Sequence, residues 1–212
     1  MKPALIYFAD PMCRWCWGFS PVIERLRVER ADAFDVSLVL GGLAPGTREP
    51  LDNYRKDEIR SHWQHVAELS GQIFDHAFFE RESFVYNTEP ACRAVVAVRR
   101  AEPGREFGFL RRLHEAFYAQ NRDITDPDTL GDIAAQCGSE RAAFLATFDD
   151  PKTGLATGND FAITQSAGIK GFPALVIGHE HSGLAAVTIG YQDYATISAA
   201  LDEWLRQHST PD

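Results

Sequence analysis

Cys13-Arg14-Trp15-Cys16 sets two thiols two residues apart, a spacing with two chemical uses. It is half of a tetrahedral metal site, or it is a dithiol that closes and reopens as a disulfide. The surrounding residues favour the second use. Pro3–Asp10 is a short apolar run containing Ile6, Tyr7 and Phe8, the pattern of a strand buried on both faces. Pro11 ends it, and from Cys13 onward Phe19, Val22, Ile23 and Leu26 recur at helical spacing. A pair that follows a strand and opens a helix puts Cys13 where free backbone N–H groups and the helix dipole favour an anion. That field contributes roughly 0.3–1 kcal/mol, and Arg14 adds a positive charge beside it. Cys13, at the exposed end, is therefore expected to attack a substrate disulfide. Cys16, one turn further in, is expected to resolve the mixed disulfide.

Other side chains compete for roles. Asp10, three residues before Cys13, is placed either to relay protons to a buried Cys16 or, with better odds, to cap the turn between strand and helix. Trp15 and Trp17 are candidates for an apolar substrate groove, whereas Phe19 reads as core. Cys92 and Cys137 fall on apolar helix faces and are expected to act as small hydrophobes. His62 and His65 invite a zinc site with the two thiols, but the spacing is shorter than usual and a helix points them apart, so no metal is expected. His179 and His181 are expected in a solvated turn.

The elements that must position these residues follow from periodicity. Phe34–Leu40 is a second strand, closed by Gly41-Gly42. From about Asp57 to Phe148 the pattern is helical, with stripes at Ile59, Trp63, Val66 and Ala67, at Cys92, Val95 and Val96, and at Leu110, Leu113, His114 and Phe117. Asp126-Pro127 is a helix start with a capping Asp and Pro at the first helical position. That helix stops at Gly138, and Ser139 is expected to cap the next. Pro21 is expected to bend the first helix. Ala174–Ile177 and Ala186–Ile189 suggest a hairpin, and a last helix spans roughly Asp193–Gln207. This order is that of an α/β, thioredoxin-like fold: residues 1–50 and 150–212 form its sheet domain, with an all-helical subdomain, 51–149, inserted.

The segment Phe8-Ala-Asp-Pro-Met-Cys-Arg-Trp-Cys-Trp-Gly-Phe19 resembles the DsbA-like family, in particular its cytoplasmic branch of predicted protein-disulfide isomerases related to FrnE. Ala167-Gly-Ile-Lys-Gly-Phe-Pro-Ala-Leu175 is similar to that family's cis-proline loop. The resemblance covers essentially the whole chain. It implies that Pro173 is the cis-proline packed against Cys13 and Cys16, and that Phe172 faces substrate, with Arg14 and Trp15 beside it. Two features depart from the pattern: the Arg-Trp dipeptide between the cysteines, and a Phe where Val or Thr is common before the proline.

The remaining composition narrows the function. The chain has 212 residues and a formal net charge of -9, which disfavours nucleic-acid binding and a polybasic membrane anchor. No run approaches the roughly 20 apolar residues that span a bilayer, so a cytoplasmic location is expected. The sequence does not specify an oligomeric state. The expected activity is thiol–disulfide exchange or isomerisation on protein or small-molecule disulfides, without a cofactor beyond the Cys13–Cys16 pair, and with glutathione or another thiol as co-substrate. The alternatives are a glutathione-dependent isomerase or transferase resembling 2-hydroxychromene-2-carboxylate isomerase, against which Cys16 counts, and a non-catalytic metal-holding module.

Overall fold

In the computed structural model, residues 2–179 and 183–208 are described. Strand β1 (Ala4–Ala9) leads into helix α1 (Arg14–Glu29), and β2 (Asp35–Leu40) follows. Then come α2 (Asn53–Ser70), a 3-10 turn (His76–Glu80), α3 (Glu89–Ala101), α4 (Glu106–His114) with a π turn at Glu115–Ala119, α5 (Pro127–Gln136), α6 (Arg141–Asp149) and α7 (Pro151–Ser166). The chain returns to the sheet through β3 (Ala174–His179) and β4 (Gly183–Ile189) and ends its described part in α8 (Tyr194–His208).

The sheet order is β2-β1-β3-β4. β1 pairs parallel with β2 and antiparallel with β3. β3 and β4 form an antiparallel pair with a register shift at Leu175/Val176. Because β1 is central, both its faces are covered, which explains its unbroken apolar run. Leu5, Tyr7 and Ala9 join Leu38 and Leu40, together with Cys16, Phe19 and Leu26 of α1, in the main core. Phe8 and Ile6 instead meet Val39, Ile169, Ala174 and Val176 in a smaller cluster. Alternate residues of one strand therefore serve two layers.

β2 is an edge strand, and its outward backbone groups are taken by side chains. The Leu40 N–H donates to Asp160 Oδ2 at 2.9 Å, and Thr164 Oγ1 donates to the Leu40 carbonyl at 3.2 Å. Arg99 donates to the Leu38 carbonyl at 3.0 Å and pairs with Asp160 at 2.8 Å. Helices α3 and α7 thus cover an edge that would otherwise be open to another strand.

Local starts and stops agree with the chain's chemistry, with one correction. Asp126 caps α5 by accepting from Thr129 N, with Pro127 next to it. Ser139, however, does not cap α6: the longer Glu140 side chain reaches the N–H groups of Ala142 and Ala143, and Ser139 Oγ donates to Glu102. Pro21 lies inside α1 without ending it. Cys137, the C-cap of α5, is half-buried and packs against the edge of the main core, as its apolar helix face implies. His181 lies outside the described residues, and His179 ends β3. Among the described residues no helix is long and apolar enough to cross a membrane.

Candidate active site

Cys13 is the N-cap of α1, with extended backbone angles, and its sulfur accepts the Cys16 N–H at 3.4 Å. The turn that delivers it is closed by the Cys13 N–H donating to the Asp10 carbonyl at 3.0 Å. An unpaired helix N-terminal donor pointing at a sulfur is the arrangement that stabilises a thiolate. Cys13 is not at an exposed end: only 4% of it is accessible, because the Phe172 carbonyl stands 3.5 Å from its sulfur. Cys16 is fully buried in the core. Burial, and then the neighbouring Cys13, push the Cys16 thiol well above its ordinary range, so it holds its proton at neutral pH.

Phe172 and Pro173 form the opposing wall. Their peptide bond is cis, and the Pro173 carbonyl accepts from the Gly190 N–H at 2.7 Å. The Phe172 ring lies where Gly41 has no side chain: a Cβ there would stand 2.1 Å from the ring. Gly41 thus does more than close β2. It makes room for the residue whose carbonyl faces Cys13, a long-range role that Gly41-Gly42 alone does not announce.

Asp10 ties the site together. Its carboxylate, fully buried, accepts from Met12 N at 2.8 Å and Leu43 N at 2.7 Å, and the Cys92 thiol donates to it at 3.4 Å. Burial raises its pKa against the lowering effect of those donors. Its carbonyl also meets His114 Nε2 at 3.1 Å. A carbonyl can only accept, so Nε2 carries the proton and Nδ1 is a bare lone pair. Cys92 is therefore not a plain hydrophobe, because its thiol is one of the partners that satisfy a buried carboxylate.

Trp15 is half-buried between His65, edge-on at 5.6 Å, and Tyr191, at 5.7 Å. With Leu69, Gly190 and Tyr191 it borders a groove of about 220 Å³. Trp17 instead turns inward, donating its indole N–H to the Ile73 carbonyl at 3.1 Å, and Phe19 is core. Arg14 is part-buried, and its charge, after burial, holds the His62 pKa down. Tyr86, which periodicity did not single out, donates to the Met12 carbonyl and lies 3.5 Å from the Tyr118 hydroxyl, under the turn that carries Cys13. Among the described residues no three His, Cys, Asp or Glu side chains converge as metal ligands.

Comparison with known proteins points the same way. A solved structure of a Nitrosomonas europaea protein, provisionally called a protein disulfide isomerase, is 37% identical, covers 99% of this chain and 100% of its own, and superposes with a TM-score of 0.91. The cytosolic disulfide reductase DsbM of Pseudomonas aeruginosa shares the fold at a TM-score of 0.78 and 23% identity, covering 96% of this chain and 99% of its own. The ClpXP adapter protein SpxH of Shouchella clausii is 27% identical over 90% of this chain, which spans 63% of that relative's length. The DSBA-like thioredoxin domain model matches residues 4–202, and with that span the chain belongs to the DsbA-like thioredoxin-fold family.

Proposed function

We propose that the protein is a thiol–disulfide oxidoreductase or isomerase in which Cys13 attacks a substrate disulfide and Cys16 resolves the mixed disulfide. One observation carries the reading: a helix-capping Cys13 sulfur, bonded to the Cys16 N–H, faces the Phe172 carbonyl while Cys16 is buried and protonated. The two sulfurs are thus chemically unequal, as a nucleophile and a resolving thiol must be. Attack forms a Cys13–substrate bond and expels one substrate thiolate. Cys16 then displaces the second thiolate, and the pair is left oxidised.

The Phe172 carbonyl beside the Cys13 sulfur is where an extended substrate backbone pairs, and the groove at Trp15 receives a neighbouring apolar group. Residues 1–50 and 150–212 carry this chemistry, with the helices of 51–149 as its wall. The reading extends to a cytoplasmic setting, supported by cytosolic DsbM. It also takes glutathione as a thiol co-substrate, supported by a DsbM structure with GSH. The test is reduction of insulin by a thiol reductant. The wild type accelerates it and Cys13→Ser does not; equal rates would remove the assignment.

A second reading comes from the SpxH relatives, which are ClpXP adapters. In it the same face docks a protein without redox turnover. Client binding that survives Cys13→Ser and Cys16→Ser together would favour that reading.

A further inference from the structure

Arg14 stands between the two redox cysteines as the first residue of α1. Its Nε is buried and has no hydrogen-bond partner. The two terminal nitrogens reach the surface, and among the described residues no carboxylate, carbonyl or hydroxyl holds them. A guanidinium carries five donors in a planar fork, and part-buried arginines elsewhere in the chain spend theirs. Arg30, Arg93 and Arg99 each meet a carboxylate, at 2.8, 2.7 and 2.8 Å. An orphaned buried donor carries a desolvation cost, and this one lies beside the reacting sulfur.

The surroundings of Arg14 favour an anion. The first turn of α1 holds no acidic residue, and its N-terminal dipole has the same sign as the guanidinium. Trp15, next in the chain, borders a groove of about 220 Å³ whose other lining residues, Leu69, Gly190 and Tyr191, carry no carboxylate. Access also selects for size. Only 4% of Cys13 is accessible, and the Phe172 carbonyl stands 3.5 Å from its sulfur, so a slender disulfide reaches it more readily than one held in a folded surface. The net charge of -9 provides no long-range attraction for an anion. Selection therefore falls on contact with Arg14.

We propose that Arg14 is the specificity-determining residue of the redox site, and that it selects low-molecular-weight disulfides bearing a carboxylate a few bonds from the sulfur. The proposal rests on the redox reading given above. The carboxylate accepts two N–H bonds from the guanidinium fork, which aligns the disulfide with Cys13. The Cys13 thiolate attacks the near sulfur; the Cys13–substrate bond forms, the substrate S–S bond breaks, and the electron pair leaves on the far sulfur. Cys16 then gives its proton to water and attacks Cys13, and the second substrate thiolate leaves. Each departing thiolate takes a proton from water. The substrate disulfide ends as two thiols and the protein dithiol as a disulfide. Arg14 exchanges no proton and acts by holding one substrate group.

The test follows oxidation of the reduced protein by three disulfides of like size: 3,3′-dithiodipropionate, bis(2-hydroxyethyl) disulfide and cystamine, which are anionic, neutral and cationic. Cys137 is replaced by Ser so that a half-buried thiol outside the pair does not react. Acid quench and mass spectrometry report the state of Cys13 and Cys16. Gln is a good helix former and Arg14→Gln removes no bond made within the fold, so the variant folds. In it the rate ratio of the acidic to the neutral disulfide should fall about tenfold or more, the scale of losing a charge-assisted pair. The ratio of cystamine to the neutral disulfide should rise. Arg14→Lys keeps the charge without the fork and should recover part of the acid preference. An acid-to-neutral ratio that Arg14→Gln leaves unchanged, as when all three disulfides slow alike, overturns the proposal. If none of the three oxidises the wild type, the redox reading beneath it fails instead.

Discussion

Cys13 and Cys16 lie one helical turn apart, yet their surroundings are unlike. The first caps α1 and draws on its N-terminal donor; the second is enclosed by the core. His114 shows how strongly such burial acts on a titrating group. Its pKa falls from 6.5 to about 4 because the interior disfavours the imidazolium. Between those values the unfolded chain binds the proton and the folded chain does not, so stability falls as pH drops from 6.5 to 4. At 1.36 kcal/mol per unit the loss is about 3 kcal/mol. Urea midpoints measured from pH 7 to pH 4 should decline over that range, and His114→Gln should flatten the decline. Asp10 acts with the opposite sign. Its carboxyl is held up by burial, so its contribution is full in acid and is lost as pH rises through its folded pKa. If His114→Gln declines as steeply as the wild type, another group carries the acid limb.

At the scale of elements, the loops that close the site depend on contacts far apart in the chain. Gly41 at the end of β2 and Phe172 before β3 are the clearest pair, because a side chain at the first would occupy the ring of the second. Gly41→Ala should therefore push Phe172, and its carbonyl, away from Cys13. Overpacking of this kind costs about 1–3 kcal/mol, so both the melting temperature and the rate of disulfide reduction should fall. An Ala variant with normal rate and stability would show that the ring finds another seat without consequence. The strands and helices themselves were legible because their periodicity is local: β1 as an unbroken apolar run, α5 from Asp126-Pro127. The cap of α6 lies one residue beyond the one the local pattern suggests, because two capping side chains stand next to each other and only the fold shows that Ser139 is drawn to Glu102.

For the whole molecule, the order of elements and the Cys13–Cys16 motif were enough to expect the α/β fold with helices between β2 and β3. The surroundings of the pair were less legible. Tyr7 read only as a strand residue and His114 only as one position of a helical stripe. The meeting of His114 with the Asp10 carbonyl arises when α4 packs over the turn that carries Cys13, and no local pattern records it. Cys92 was hidden for the same reason, since its carboxylate partner lies 82 positions away in the chain. The net charge of -9 sets no substrate, so the central claim stands on the unequal pair. Its most direct test is to incubate Cys16→Ser with a disulfide-bonded protein, quench with acid and map the adduct by peptide mass spectrometry. The account predicts a mixed disulfide on the Cys13 peptide that a small thiol releases. An adduct confined to Cys137 or Cys92, or none at all, would contradict it.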